Sequence, residues 1–142
     1  MINAFLYIIF FCVFMALWNS IRNKTQNNRT WKALLIDYRT SETPKSLSGK
    51  YLDIVTFYFD NVYMSRIFKF YETPKGLLIV TNPSLFLKQK VLIPWELIQP
   101  TQLHNVSWAT MQGLTVVNDD LVKIDITRMD FIHFIRNHLS NN

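Results

Sequence analysis

Residues 113–126 read GLTVVNDDLVKIDI. Two β-rich runs, GLTVV and LVKIDI, flank the polar triplet Asn118-Asp119-Asp120, which is the signature of an antiparallel hairpin. The apolar residues of LVKIDI alternate with polar ones, so one face of the pair is buried and the other meets water. This hairpin sets the class of the folded part of the chain, and the same period of two extends back from it. From Lys50 onward YLDIVTFYF is β-branched and aromatic. VYMSRIFKFY follows, with Val62, Met64, Phe68 and Phe70 on one face. Thr73-Pro74-Lys75-Gly76 reads as a turn, LLIVT as a strand, and LFLKQKVLI as a further strand or hairpin. Pro94, which lacks an N–H, ends pairing or marks a sheet edge.

Helices enclose the β region on both sides. Thr127 with Asp130 three residues on resembles a capping box. Phe131, Ile132, Phe134, Ile135 and Leu139 then predict a closing amphipathic helix. Upstream, Thr30 is a candidate cap, and Trp31, Leu34, Leu35 and Tyr38 form one stripe. That stripe packs on the domain or lies along a bilayer surface with Trp31 and Lys32 at the headgroups. Residues 40–49, TSETPKSLSG, read as a loop. His104 is expected in a loop with no neighbouring acid, and Asp119 and Asp120 in a solvated turn. The class is α+β: a helix, six or seven antiparallel strands in a small barrel or bent sheet, and a helix covering its open end. Among known architectures the pleckstrin-homology and GRAM group has that order.

The first 21 residues differ in kind. Met1 to Ile21 carries no charged side chain, and Ala4 to Trp18, AFLYIIFFCVFMALW, is unbroken in apolar character. About 20 helical residues span roughly 30 Å, the thickness of a hydrocarbon core. No basic residue precedes the run and no small-x-small site follows it, which argues against a cleaved signal peptide. It has no polar face, which argues against an interfacial helix. The expected layout is a transmembrane anchor over 1–21, a basic juxtamembrane linker over 22–30, and a soluble β-rich domain with flanking helices over 31–142.

The formal net charge of +5 follows this layout. Arg22, Lys24, Arg29 and Lys32 fall within residues 22–32, where there is no acid; from residue 33 onward 11 basic side chains face 10 acidic ones. A nucleic-acid module keeps its basic excess on the folded domain, so nucleic acid is not an expected partner. Positive charges just after the run place the domain in the cytoplasm and the N-terminus outside, in an inner membrane. A second basic group, Arg66, Lys69, Lys75, Lys88 and Lys90, stands against Glu72 alone within residues 66–90. If strands 62–72 and 84–92 are neighbours, Lys69, Lys75, Lys88 and Lys90 form a basic face for anionic lipid or an acidic protein surface. In the anchor, Cys12, Ala16 and Ser20 recur every four residues. Small residues on one face let a second helix approach.

Residues 74–98, PKGLLIVTNPSLFLKQKVLIPWELI, resemble a pattern in small uncharacterised bacterial membrane proteins. These combine an apolar N-terminal helix, a W-x-x-L-x-x-x-Y stretch, a G-L-x-[IL]-x segment and an I-P-W block. The counterparts here are Trp31, Leu34 and Tyr38, then Gly76 to Ile79, then Ile93-Pro94-Trp95-Glu96 and Ile98. The family's proline-rich approach to the block is replaced by Lys88-Gln89-Lys90-Val91. The resemblance implies a membrane-tethered PH/GRAM-like domain and supplies no catalytic residues. Trp95 is expected to pack over the sheet.

The chain offers no G-x-S-x-G, Walker loop, H-E-x-x-H or C-x-x-C. With Cys12 as the one cysteine, an internal disulfide is excluded. His133 and His138, five apart, do not share a helix face. The reading is a non-enzyme with no catalytic, metal or cofactor residues. It is a single-pass membrane-tethered binding or scaffolding module, or an accessory subunit of a membrane complex that docks, or self-associates, through its helix.

Overall fold

The computed structural model describes residues 2–82 and 88–139. A long helix α1 (Ile2–Gln26) leads into α2 (Arg29–Tyr38). Nine strands follow: β1 (Lys50–Leu52), β2 (Phe57–Phe59), β3 (Val62–Tyr63), β4 (Phe68–Glu72), β5 (Gly76–Thr81), β6 (Lys90–Pro94), β7 (Ile98–Val106), β8 (Ala109–Val116) and β9 (Asp119–Thr127). The chain closes with Arg128–Asp130, a π-helical stretch Phe131–Ile135 and a last turn Arg136–Leu139, together one C-terminal helix. The strands form two antiparallel sheets, ordered β1-β4-β5-β6 and β3-β2-β9-β8-β7. The α+β class, the apolar first helix and the closing helix agree with the sequence, but nine strands among the described residues exceed the six or seven expected.

The excess has local causes. YLDIVTFYF is two strands, β1 and β2, assigned to different sheets. VYMSRIFKFY is also two, because Arg66 adopts φ 67° between β3 and β4. Asp60 and Asn61, both at positive φ, make the two-residue turn joining Phe59 to Val62, the mirror-image turn that matches strand twist. The hairpin of 113–126 is present with its turn shifted. Val116 pairs with Asp119, so Val117-Asn118 turn the chain, with Asn118 at φ 63°, and Asp119 already belongs to β9. LFLKQKVLI is a strand only from Lys90 onward, and its residues 85–87 lie outside the described residues.

One core joins both sheets. Phe57 and Phe59 from one sheet meet Phe68 and Phe70 from the other, with Phe57–Phe70 centroids 4.7 Å apart at 84° and Phe59–Phe68 at 4.9 Å. Such pairs contribute about 0.5–1.5 kcal/mol each beyond area burial. Trp31 of α2 enters the same cluster, 4.4 Å from Phe68, with its indole N–H donating to Gln89 Oε1 at 2.9 Å. Of the two readings of the α2 stripe, packing on the domain is the one observed. Trp31 and Leu34 are fully buried while Lys32 is exposed.

Every residue of β5 is buried. Its inner face meets the core, and its outer face is covered by residues 40–49, whose Leu47 packs on Leu78 and Val80. Beyond α2 the chain runs along β6, where Arg39 bridges Val91 and Thr40 N–H donates to Lys90 O. That covers an edge otherwise open to pairing. Pro94 ends β6 and caps the 3-10 turn Trp95–Leu97. Gly76 is required by close approach: a Cβ there would sit 2.2 Å from Ile93 O.

The segment 22–30, expected as a linker, is mostly helical. α1 continues through Gln26, Thr25 is buried with its hydroxyl donating to Ile21 O, and Ile21 packs against the core. The cap of α2 is Asn28, whose side chain accepts from Trp31 N–H and donates to Phe59 O at 2.8 Å. Thr30, the expected cap, is instead buried against β9, accepting from Lys123 N–H at 3.0 Å with its own hydroxyl directed at Lys123 O and Leu121 O.

Candidate functional site

The second sheet presents a polar groove of about 620 Å³ on the face opposite its core. On β8 and β9 the inward residues are Leu114, Val116, Val122, Ile124 and Ile126. The intervening positions therefore face out, and among them Gly113 pairs directly with Asp125. On β7 the register shifts between Pro100 and Leu103, leaving Thr101 and Gln102 as a bulge opposite Gly113. Without a side chain at Gly113, groups from β7 and β9 meet over β8. A Cβ there would lie 2.2 Å from Thr101 Oγ1 and 3.3 Å from Asp125 Oδ1. Glycine inside a strand often marks such an approach.

His104 on β7 brings Nδ1 within 3.7 Å of Asp125 Oδ1. This corrects the expectation of a loop histidine without an acid. Asp125 is largely buried, which raises its carboxyl above the ordinary range, and His104 partly offsets that rise. Asn61, Asp120 and Lys123 complete the rim; Asp120 is exposed, but it and the half-buried Asp119 lie on β9 and not in the solvated turn expected of them. Among the described residues no hydroxyl or thiol hydrogen-bonds His104, so the pair has no attached nucleophile of the triad kind. Its mixed charges suit a neutral or zwitterionic polar ligand.

A second histidine site lies between the sheets' ends and the C-terminal helix. His138 stacks on Trp95 at 3.9 Å and 7°, and its Nε2 contacts Glu72 Oε1 at 2.8 Å. The Trp95 indole donates to Thr73 O at 2.8 Å. Trp95 of the I-P-W block thus joins the 73–76 turn to the C-terminal helix. His133 is elsewhere, beside Phe134. Among the described residues no cluster of three metal-ligating side chains occurs.

The residues singled out from sequence are placed as follows. Cys12, Ala16 and Ser20 are exposed on a helix whose apolar window is 0% buried. Arg22, Lys24, Arg29 and Lys32 are exposed around the α1–α2 junction. The basic group of 66–90 is less uniform than expected, because β5 separates β4 from β6. Lys69 and Lys90 do share a row, both opposite Val80. Lys90 Nζ, however, donates to Ser41 O, Lys75 pairs with Glu42 at 3.5 Å, and only Lys75 and Lys88 of the four are exposed, Lys69 and Lys90 being half-buried. Glu42 comes from the covering loop, a neighbour that charge counting along 66–90 does not see.

The chain matches no family model, no curated protein and no solved structure.

Proposed function

We propose that the chain is a single-pass, membrane-tethered binding module whose β domain is held close against the cytoplasmic side of an inner membrane. One observation carries the reading. α1 is 25 residues long, with mean hydropathy 2.1 over its apolar window and none of that window buried, yet its last turns are seated in the domain through Ile21 and Thr25. Leaving so many apolar side chains in water carries a penalty of about 25 cal/mol per Å² of surface, which a bilayer removes. Arg22, Lys24, Arg29 and Lys32 then stand at the headgroup level, each contributing about 1 kcal/mol toward anionic lipid. The two sheets with a helix against them support a PH/GRAM-like arrangement of the domain. The anchor stripe at Cys12, Ala16 and Ser20, left bare, supports the second reading, an accessory subunit that docks helix to helix.

Alkaline carbonate extraction of membranes containing the full-length protein tests the tether: retention in the pellet is expected, and release into the supernatant overturns it. A reporter fused after Asn142 tests orientation, and activity there of a reporter that requires the outer compartment would reverse the sidedness. Disulfide crosslinking through Cys12 separates the two readings, since a higher species in native membranes favours the docking subunit.

A further inference from the structure

A cleft of about 370 Å³ lies between the β7 bulge and the C-terminal helix; it shares Thr101 with the His104–Asp125 groove and is independent of how the chain meets a bilayer. Its floor is apolar, from Phe131, Ile132 and Leu139, and Arg128 and Arg136 stand at its sides. Both arginines are exposed and neither forms an ion pair among the described residues. The helix changes pitch here: Arg136 N–H donates to Phe131 O, five residues back. Such π turns recur at functional sites.

The remaining wall is Gln112, which is 4% exposed. Its Nε2 donates to Thr101 O at 2.7 Å and Gly113 O at 3.0 Å. Its Oε1 has no partner among the described residues, and no unpaired side-chain oxygen or nitrogen is buried there. That acceptor therefore keeps some solvent exposure, on a residue that lines the cleft. The cleft thus offers two cations, an apolar floor and one hydrogen-bond acceptor. Beside it β7, at the sheet edge, has seven consecutive exposed residues, Gln99 to Asn105.

We propose that this cleft captures the free C-terminus of a peptide ending in an apolar residue. The carboxylate lies between Arg128 and Arg136, the last side chain rests on Phe131, Ile132 and Leu139, and a backbone N–H donates to Gln112 Oε1. A terminal peptide residue carries these three groups together, whereas a fatty acid lacks the N–H donor that Gln112 requires.

The test uses the full-length protein in phosphatidylcholine nanodiscs, titrated calorimetrically with N-acetyl-alanyl-leucine, its C-terminal amide, and decanoate. Binding of the free acid is expected, with the amide at least about tenfold weaker, as losing a charge-assisted contact predicts. Arg128→Gln and Arg136→Gln should each weaken it about fivefold or more. Ile132→Asp, at a third exposed position, should abolish it with an unchanged melting temperature. Absence of free-acid binding at millimolar concentration overturns the proposal. So does equal affinity for the amide, or displacement of the peptide by decanoate at equal or lower concentration.

Discussion

The close backbone approach at Gly76 shows how a single residue sets this architecture. At Gly76 a methyl group would overlap Ile93 O, a backbone atom of the adjacent strand that can move only by parting β5 from β6. Gly76→Ala is expected to destabilise the protein by about 1–3 kcal/mol or more, read as a lowered denaturant midpoint; an unchanged midpoint would contradict the geometry. Asp125 gives a prediction in pH. Its carboxyl is raised by burial, so the folded state holds its proton to higher pH than the unfolded state does. Stability is then undiminished below the unfolded pKa and falls as pH rises through the folded one. Asp125→Asn should therefore melt higher than the parent at neutral pH, with the gap closing on acidification. A gap that widens in acid would show that the pair with His104 dominates instead.

Among elements, the junction of α1 and α2 departs furthest from a reading of composition. IRNKTQNNR is polar and reads as a tether, yet Thr25, Asn28 and Thr30 are buried because each short side chain finds a backbone partner: Ile21 O, Phe59 O, and the Lys123 amide. The partners of Asn28 and Thr30 lie on strands up to 93 positions away, beyond what local spacing reveals. Asn28→Ala removes both a helix cap and the donor to Phe59 O, and should cost about 1–3 kcal/mol. Spin labels at Ser20 and Asn61 should give one narrow distance distribution, which broadens in Asn28→Ala; a broad distribution in the parent would restore the flexible tether. The alternation at Phe57 and Phe59, and at Phe68 and Phe70, was legible, as were the 73–76 turn and the Thr127 cap. The β7 strand was not. IQPTQLHNV presents one buried residue and seven exposed ones and carries a proline and a bulge, so no apolar period marks it. Since His104 rides on that strand, its approach to Asp125 was hidden too; the one local trace was a glycine inside a strand.

At the scale of the molecule, the two sheets share their aromatic cluster and cannot melt independently. Phe59 touches Phe68 and Phe70 across the sheet boundary, Phe57 within its own strand, and Trp31 of α2 besides. Phe59→Ala should cost about 3–5 kcal/mol. Tryptophan fluorescence and far-UV dichroism should report one coincident unfolding transition in parent and variant alike. Two separated transitions would mean that the sheets are distinct cooperative units. The charge distribution also changes meaning at this scale, because the loop carrying Glu42 and Ser41 folds onto Lys75 and Lys90. The exposed cations around the α1–α2 junction are left as the more coherent basic surface.

The seating of α1 also has an angular meaning. A helix whose last turns pack on the domain fixes the azimuth of everything beneath it. Each residue added or removed between Ser20 and Ile21 would swing the domain by about 100° around the helix axis. Two copies pressed together along Cys12, Ala16 and Ser20 would thus present their domains in one mutual heading, as a key cut on one end of a shaft determines what the other end turns.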